Sequence, residues 1–318
     1  MTIEKRSSLF ILAACFLWAT DLLVRYPITL KMGYTSIVLI ESFIGVVFLL
    51  PWFFKNGIRE LRLFSLTDWG LSAFLGAVGM TAAGLLFTFC IQKASPSTFS
   101  FFQIFQPLFV VYLAHRFLKE KSDNLYFFWG IWVIVSALLM YSQDIELSLI
   151  GGDLLSYPLE TIIALGVMMI WGLCTIAAKK LLVKHSATSI VGVRWFFAFV
   201  AALGFNVFYQ TETTPWTIVF ETDYVWRFFY ISVVAGLCSM AFYYSGLKKM
   251  EVGKVSFIEL AYPALGMIFS AIYTFEQLTF LQAIGATSFV IFITLMISGR
   301  QFLPLLSSTK IQQSRNLS

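Results

Sequence analysis

Ten long apolar segments fill nearly the whole 318-residue chain. Each holds about 20 mostly apolar residues, the length at which a helix crosses the hydrocarbon core of a bilayer. Backbone groups in lipid must be satisfied within the chain, and the alternating pattern of a membrane β-barrel is absent, so these segments are expected to be helices. The sequence predicts an all-α integral membrane protein with ten transmembrane helices, at residues 8–26, 34–54, 68–91, 97–117, 125–142, 160–178, 187–208, 226–247, 255–275 and 279–299.

The charged residues are few and lie mostly at one side of these segments. They make up 12% of the chain, against about 25% in soluble domains, which excludes a disordered chain or an ordinary soluble enzyme. Of the 22 Lys and Arg, 17 lie in the termini and alternate loops, and four, including Arg25, lie in the opposite loops. This asymmetry predicts cytoplasmic N and C termini. The net charge of +5 therefore indicates topology, and no nucleic-acid partner is expected.

The chain also contains an internal repeat. At an offset of 153 residues, Trp18 aligns with Trp171. Three additional loop residues raise the offset to 156, at which Pro107 aligns with Pro263 and Glu120 with Glu276. Five helices per repeat is an odd number, so the halves are expected to lie in opposite orientations, an architecture of secondary transporters. The predicted units are a first repeat at 8–142, a second at 160–299 and a cytoplasmic tail at 300–318.

These paired positions resemble those of the drug/metabolite transporter superfamily, specifically its ten-helix EamA-type members. The similarity rests on the mid-helix tryptophans, the prolines of helices 4 and 9, the acidic residues that end those helices, and the glycines that follow, Gly130 and Gly285. It implies a multi-pass carrier of the bacterial inner (plasma) membrane, often an exporter of amino acids, other metabolites or drugs. Members often carry an Arg in helices 2 and 7. Here helix 7 has Arg194, whereas helix 2 has Glu41.

Ionisable side chains inside the predicted spans are the first candidates for a substrate site, because burying them in lipid costs several kcal/mol. Glu41 and Arg194 are repeat mates of opposite sign, which suggests a dipolar cavity for a zwitterion. A structural pair between Arg194 and Glu259 is the alternative. The predicted substrate-binding residues are Trp18, Glu41, Gln103, Gln106, Trp171, Arg194, Glu259 and Tyr262.

Three acidic residues are candidates for carrying a coupling proton: Asp21, Glu41 and Glu259. Asp21 lies four residues before Arg25, in the order that favours a local ion pair on a helix, and this pair is the alternative role for Asp21. The two tryptophans either line the cavity or pack between helices.

Two prolines predict breaks in helices 4 and 9. Proline frees the carbonyl four residues earlier, here that of Gln103 or Glu259, so Pro107 and Pro263 are candidate hinges. Glu120 and Glu276, at the ends of these helices, are candidate gates or helix-end anchors.

These features predict a secondary transporter that works by alternating access. The chain has no phosphate-binding glycine loop and no Cys/His metal motif, so neither an enzyme nor a cofactor or metal is predicted. The expected cargo is a small amino-acid-like or zwitterionic metabolite that is exported, and a coupling proton and a homodimer are open possibilities. The alternatives are an importer of a larger metabolite such as a nucleotide derivative, and a membrane-embedded lipid-modifying enzyme.

Overall fold

The computed structural model describes residues 3–93, 102–120, 124–141, 158–209, 216–274 and 279–298. These residues are helical apart from short turns, and no β-strand occurs among them. Glu276 and the tail 300–318 lie outside the described residues. The predicted all-α membrane fold is confirmed at this level.

The helices follow the predicted segments closely. Helix α2 includes a π-helical turn at Phe53–Gly57, and α4 continues as a π-helical turn over Ala114–Leu118. The bounds are α1 Ile3–Thr29, α2 Tyr34–Leu61, α3 Leu66–Lys93, α4 Gln106–Leu113, α5 Asn124–Met140, α6 Pro158–Leu182, α7 Ala187–Phe208, α8 Thr222–Leu247, α9 Val252–Ile258, α10 Ala261–Thr274 and α11 Phe280–Ser298.

Eight of the described helical stretches are long and apolar enough to cross a bilayer. They include all the predicted spans except the fourth and fifth, where the described helices α4 and α5 are shorter. The structure therefore supports a multi-span protein, while the full count of ten and the side on which the termini lie stay predictions.

The predicted helix breaks are present at both prolines. The ninth predicted segment is divided into α9 and α10 by a turn at Glu259 and Leu260, four and three residues before Pro263. A corresponding turn precedes α4, in which Pro107 is the second residue. The ring of each proline removes one donor and crowds the preceding turn, which explains why both breaks occur at equivalent positions.

Loops that carry most of the basic residues meet at one end of the bundle, here called the basic end. Lys184, in the α6–α7 connection, contacts Asp68 in the first turn of α3 at 3.0 Å, and Lys254 of α9 contacts Glu4 of α1 at 3.0 Å. Helix α1 therefore begins at the basic end, whereas its repeat mate α6 ends there. The packing follows the same two-fold relation, since α1 packs on α8 and α10, α6 packs on α3 and α4, α2 packs on α7, and α5 packs on α11.

One residue was wrongly included in the count of loop charges. Arg25 lies within α1, as the predicted span 8–26 implies, with only 5% of its surface exposed. Helix α1 extends to Thr29, and two nearby carboxylates compensate the buried guanidinium.

Glu120 joins the two halves at the basic end. Its carboxylate accepts hydrogen bonds from the backbone N–H groups of Val252, at 3.0 Å, and Gly253, at 3.3 Å, which are the first residues of α9. A helix start leaves such donors unsatisfied and favours negative charge. Glu120 thus anchors α9 from the end of α4, and its role as a gate stays a prediction.

We expect Glu120→Ala to lower the free energy of unfolding by about 1 kcal/mol, the usual cost of losing a helix cap. Thermal unfolding of the protein in detergent measures this loss. The matched control is Glu251→Ala, because Glu251 is the N-cap residue of α9 but its side chain makes no capping hydrogen bond. Equal melting temperatures for the Glu120 and Glu251 variants would show that the cap contributes nothing.

Candidate functional site

A cavity of about 200 Å³ lies between the two halves. Helices from both halves form its walls, and the breaks before α4 and α10 open onto it. All residues predicted to bind substrate line it, and so do Asp21 and both prolines: Trp18, Asp21, Glu41, Gln103, Gln106, Pro107, Trp171, Arg194, Glu259, Tyr262 and Pro263.

Two aromatic pairs form part of the cavity wall. The ring of Trp18 lies 5.2 Å from that of Tyr243, and the ring of Trp171 lies 5.7 Å from that of Phe87. Tyr243 and Phe87 are repeat mates at the offset of 156, so both pairs join equivalent helices across the halves. Tyr262 meets Trp18 edge to face at 6.5 Å. These pairs offer flat apolar surfaces to a substrate.

Two carboxylates share one guanidinium in the first half. Arg25 donates from Nε to Asp21 at 2.7 Å and from Nη1 to Glu41 at 2.8 Å. All three side chains are largely buried. The predicted local pair of Asp21 and Arg25 is confirmed, and Glu41 joins it from α2. This triad carries one negative charge more than its single cation.

Glu259 is a carboxylate held by neutral donors. Tyr243 Oη donates to its Oε1 at 2.5 Å, and Gln106 Nε2 donates to its Oε2 at 3.0 Å. No salt bridge to Glu259 forms within the described part of the chain. Its charge is therefore available to a cationic group in the cavity.

Arg194 is the converse case, a buried cation that has no carboxylate partner among the residues the structure describes. Its Nη1 donates to Tyr244 Oη at 2.7 Å and lies 3.4 Å from Met240 Sδ, while its Nε has no partner among the described residues. The suggested structural pair of Arg194 with Glu259 is not formed. Each of them is instead bound to one of two adjacent tyrosines, Tyr243 and Tyr244, which separate the two charges.

Other polar groups around the cavity are also left unsatisfied. Gln103 Nε2, Gln106 Oε1 and Trp195 Nε1 are buried without a hydrogen-bond partner in the part of the chain described. Buried polar atoms without partners are costly, and several around one cavity indicate a place where a polar ligand or another conformation supplies the missing bonds. The described residues contain no cluster of three or more His, Cys, Asp or Glu that could hold a metal ion.

Sequence reasoning missed four residues of this site. Phe87 and Tyr243 could have been found as aromatic repeat mates at the same offset as the prolines. Tyr244 and Trp195 carry no such signal, because an aromatic residue in an apolar run is equally compatible with lipid contact.

Both halves of the chain match the same known protein family. The model of the EamA-like transporter family matches the chain twice, over residues 5–142 and 159–298. The chain belongs to the EamA-like transporter family. It is thus a transporter rather than an enzyme, and the lipid-modifying alternative is not supported.

Similar proteins agree with membership of the EamA family. A protein of Fusobacterium nucleatum named riboflavin transporter ImpX is 22% identical, with 90% of this chain and 95% of that protein covered. A protein of Clostridium kluyveri named only as a transporter is 20% identical, with 90% and 91% covered. A crystal structure with 13% identity superposes at a TM-score of 0.68 over 92% of this chain and 96% of that one, which shows a shared fold.

Proposed function

We propose that this EamA-family protein is a secondary transporter that moves a small zwitterionic, amino-acid-like metabolite outward by alternating access. The observation that carries the proposal is the pair of unmatched opposite charges, Arg194 and Glu259, on one cavity. Arg194 would hold a carboxylate through its planar fork of donors, and Glu259 would hold an ammonium group. Glu41, the acidic pole suggested by the repeat, is already bound to Arg25.

The same proposal includes the membrane setting. The basic end faces the cytoplasm of a bacterial inner membrane, ten helices cross it, and the repeats at 8–142 and 160–299 exchange roles between the inward-facing and outward-facing states. Asp21, Glu41 and Glu259 are the candidates for a coupling proton. The packed pair of α5 and α11 lies apart from the cavity and would offer a face for a homodimer.

Uptake into liposomes that contain the purified protein tests the substrate class. For each of several amino acids, three labelled compounds are compared: the amino acid, the acid without its amino group, and the amine without its carboxyl group. Exchange of the intact amino acid alone supports the zwitterion proposal. Equal exchange of all three compounds, or of none across a broad panel, would contradict it.

The acidic pole has its own test in Glu259→Gln. The amide preserves the size of the side chain and its bond to Tyr243 but removes the charge. We expect preference for the amino acid over its analogue without the amino group to fall at least about tenfold, because charge-assisted hydrogen bonds contribute roughly 1.5–3 kcal/mol. Glu221→Gln, at an exposed position before α8, is the control. Unchanged preference in the Glu259 variant would remove Glu259 from the site.

A flat aromatic metabolite moved inward is the second candidate. It is favoured by the two aromatic pairs and by the relative named as a riboflavin transporter. Riboflavin carries no ammonium or carboxylate group, so its transport would depend on Trp18 and Trp171 and not on Arg194. Riboflavin uptake by liposomes that contain the protein, together with equal uptake by the Arg194→Ala variant, would favour this candidate over the first.

A further inference from the structure

Two π-helical segments lie at equivalent positions of the two halves, at Phe74–Ala82 in α3 and at Tyr230–Cys238 in α8. Their first residues are 156 positions apart, and so are their last residues, which is the repeat offset. Both segments contribute residues to the cavity wall. π-Helical segments are rare and are concentrated at functional sites, so their recurrence in both halves calls for a physical explanation.

The segment in α3 leaves one carbonyl free of its helical bond. The N–H of Ala83 donates to the carbonyls of Val78 and Met80, and so the carbonyl of Gly79 between them receives no α-helical hydrogen bond. The indole N–H of Trp171, on α6 in the other half, donates to this carbonyl at 3.1 Å. In a regular α-helix the N–H of Ala83 would donate to this carbonyl of Gly79.

The equivalent carbonyl in α8 is that of Ala235. The N–H of Ser239 donates to Gly236, and the Oγ of Ser239 donates to the carbonyl of Ala235. Trp18 is the mate of Trp171, and its ring lies against Tyr243 on this same helix. Yet its indole N–H has no hydrogen-bond partner among the described residues. Each half therefore contributes an indole and an equivalent carbonyl, but among the described residues only the hydrogen bond from Trp171 to Gly79 is formed.

We propose that Trp18 and Trp171 act as alternating latches. Trp171 holds the carbonyl of Gly79 in the conformation described here, and Trp18 holds the carbonyl of Ala235 in the oppositely facing one. Release of Trp171 lets the carbonyl of Gly79 accept the N–H of Ala83, because Ala83 has no hydroxyl that could replace the indole as the Oγ of Ser239 does in α8. Helix α3 then changes its hydrogen-bond register next to the cavity.

This change would reach the substrate site directly. One residue of register turns the following part of a helix by about 100°. In α3 the next turn holds Phe87, whose ring packs on that of Trp171 at the cavity wall. A register shift there would move Phe87 out of this wall. The effect on a bound substrate rests on the proposed function, whereas the alternation of the two indoles does not.

Cys174 offers a readout of the latch in α3. Its Sγ packs so closely on Gly79 that no Cβ could be accommodated there, and only 5% of the residue is exposed. Cys174 lies at the cavity wall, and withdrawal of Gly79 would expose more of its thiol there. The test uses the full chain in liposomes, with Cys15, Cys90 and Cys238 replaced by Ala or Ser, and measures the rate at which N-ethylmaleimide labels Cys174.

Trp171→Phe keeps an aromatic ring but loses the N–H that donates to Gly79. It is expected to raise the labelling rate of Cys174 about fivefold, because one neutral hydrogen bond contributes about 1 kcal/mol. Trp18→Phe is expected to lower the rate about fivefold, because it removes the bond of the opposite state. The double variant is expected to return close to the starting rate. Trp132→Phe, on the exposed face of α5, controls for the loss of an indole.

Opposite changes in the labelling rate of Cys174 in the two single variants distinguish a latch from ordinary packing, because a loss of packing would raise the rate in both variants. A change in the same direction for both, or rates within the range of the Trp132 control, would overturn the proposal. Labelling requires no substrate. If no metabolite is transported but the two labelling rates change in opposite directions, the latch is supported and the proposed function fails. If a metabolite is transported but both rates change in the same direction, the latch fails and the proposed function stands.

Discussion

Arg194→Ala is expected to abolish transport of an amino-acid-like substrate while leaving the protein folded. Arg194 is buried at the cavity wall, its side-chain hydrogen-bond partners among the described residues are neutral, and its Nε has no partner among them. Removing one partner of a buried charge pair costs about 2–5 kcal/mol, much of it from the partner charge left unpaired. Substrate binding should therefore weaken at least about thirtyfold.

Exchange of labelled amino acid in liposomes measures this loss. Arg227→Ala is the matched control, because Arg227 is an arginine of α8 that pairs with the exposed Asp223 away from the cavity. Arg194→Lys keeps the charge but not the planar fork, so partial transport is expected. Transport by Arg194→Ala at the rate of the Arg227 control would eliminate the carboxylate site.

The second large effect concerns stability. Arg25→Met would leave Asp21 and Glu41 buried next to each other without a cation. Breaking a buried ion pair by removing one partner costs about 3–5 kcal/mol, so we expect most of the variant to be lost from the folded fraction. Fluorescence-detected size-exclusion chromatography and thermal unfolding in detergent measure the loss.

The companion variant removes all three charges, with Asp21→Asn and Glu41→Gln added to Arg25→Met. Neutral replacements of similar size often restore the stability of a buried ionic cluster. We expect a melting temperature close to that of the unaltered protein. If Arg25→Met alone were as stable as the triple variant, the two acids would not need the guanidinium for folding.

The sequence predicted the helical membrane fold and the residues that surround the cavity because both follow from simple constraints. Long apolar runs must be helices in lipid, and polar or proline residues within them must face a protein interior. The repeat then placed Trp18 with Trp171 and Pro107 with Pro263. The roles of these residues in transport stay predictions.

The pairing of charges could not be predicted in the same way. Arg25 reaches Glu41 across two helices through a long flexible side chain, and several partners for it were equally possible. The π-helical segments also have no distinguishing composition, since their sequences resemble any other apolar helix. The segment in α3 packs closely on its neighbour, with Gly76 against the backbone of Arg194, and this contact exists only once the helices are assembled.

The buried triad also bears on the energy balance of the transport cycle. Two identical halves would give inward-facing and outward-facing states that are related by the two-fold axis and have equal free energy. Here the repeat mates of Asp21, Arg25 and Glu41 are Cys174, Ala178 and Arg194, so this charge cluster exists in only one half. In the proposed alternating-access cycle, the empty protein would therefore prefer one of the two states, and the free-energy change for the return of the unloaded carrier would depend on where these few charges lie.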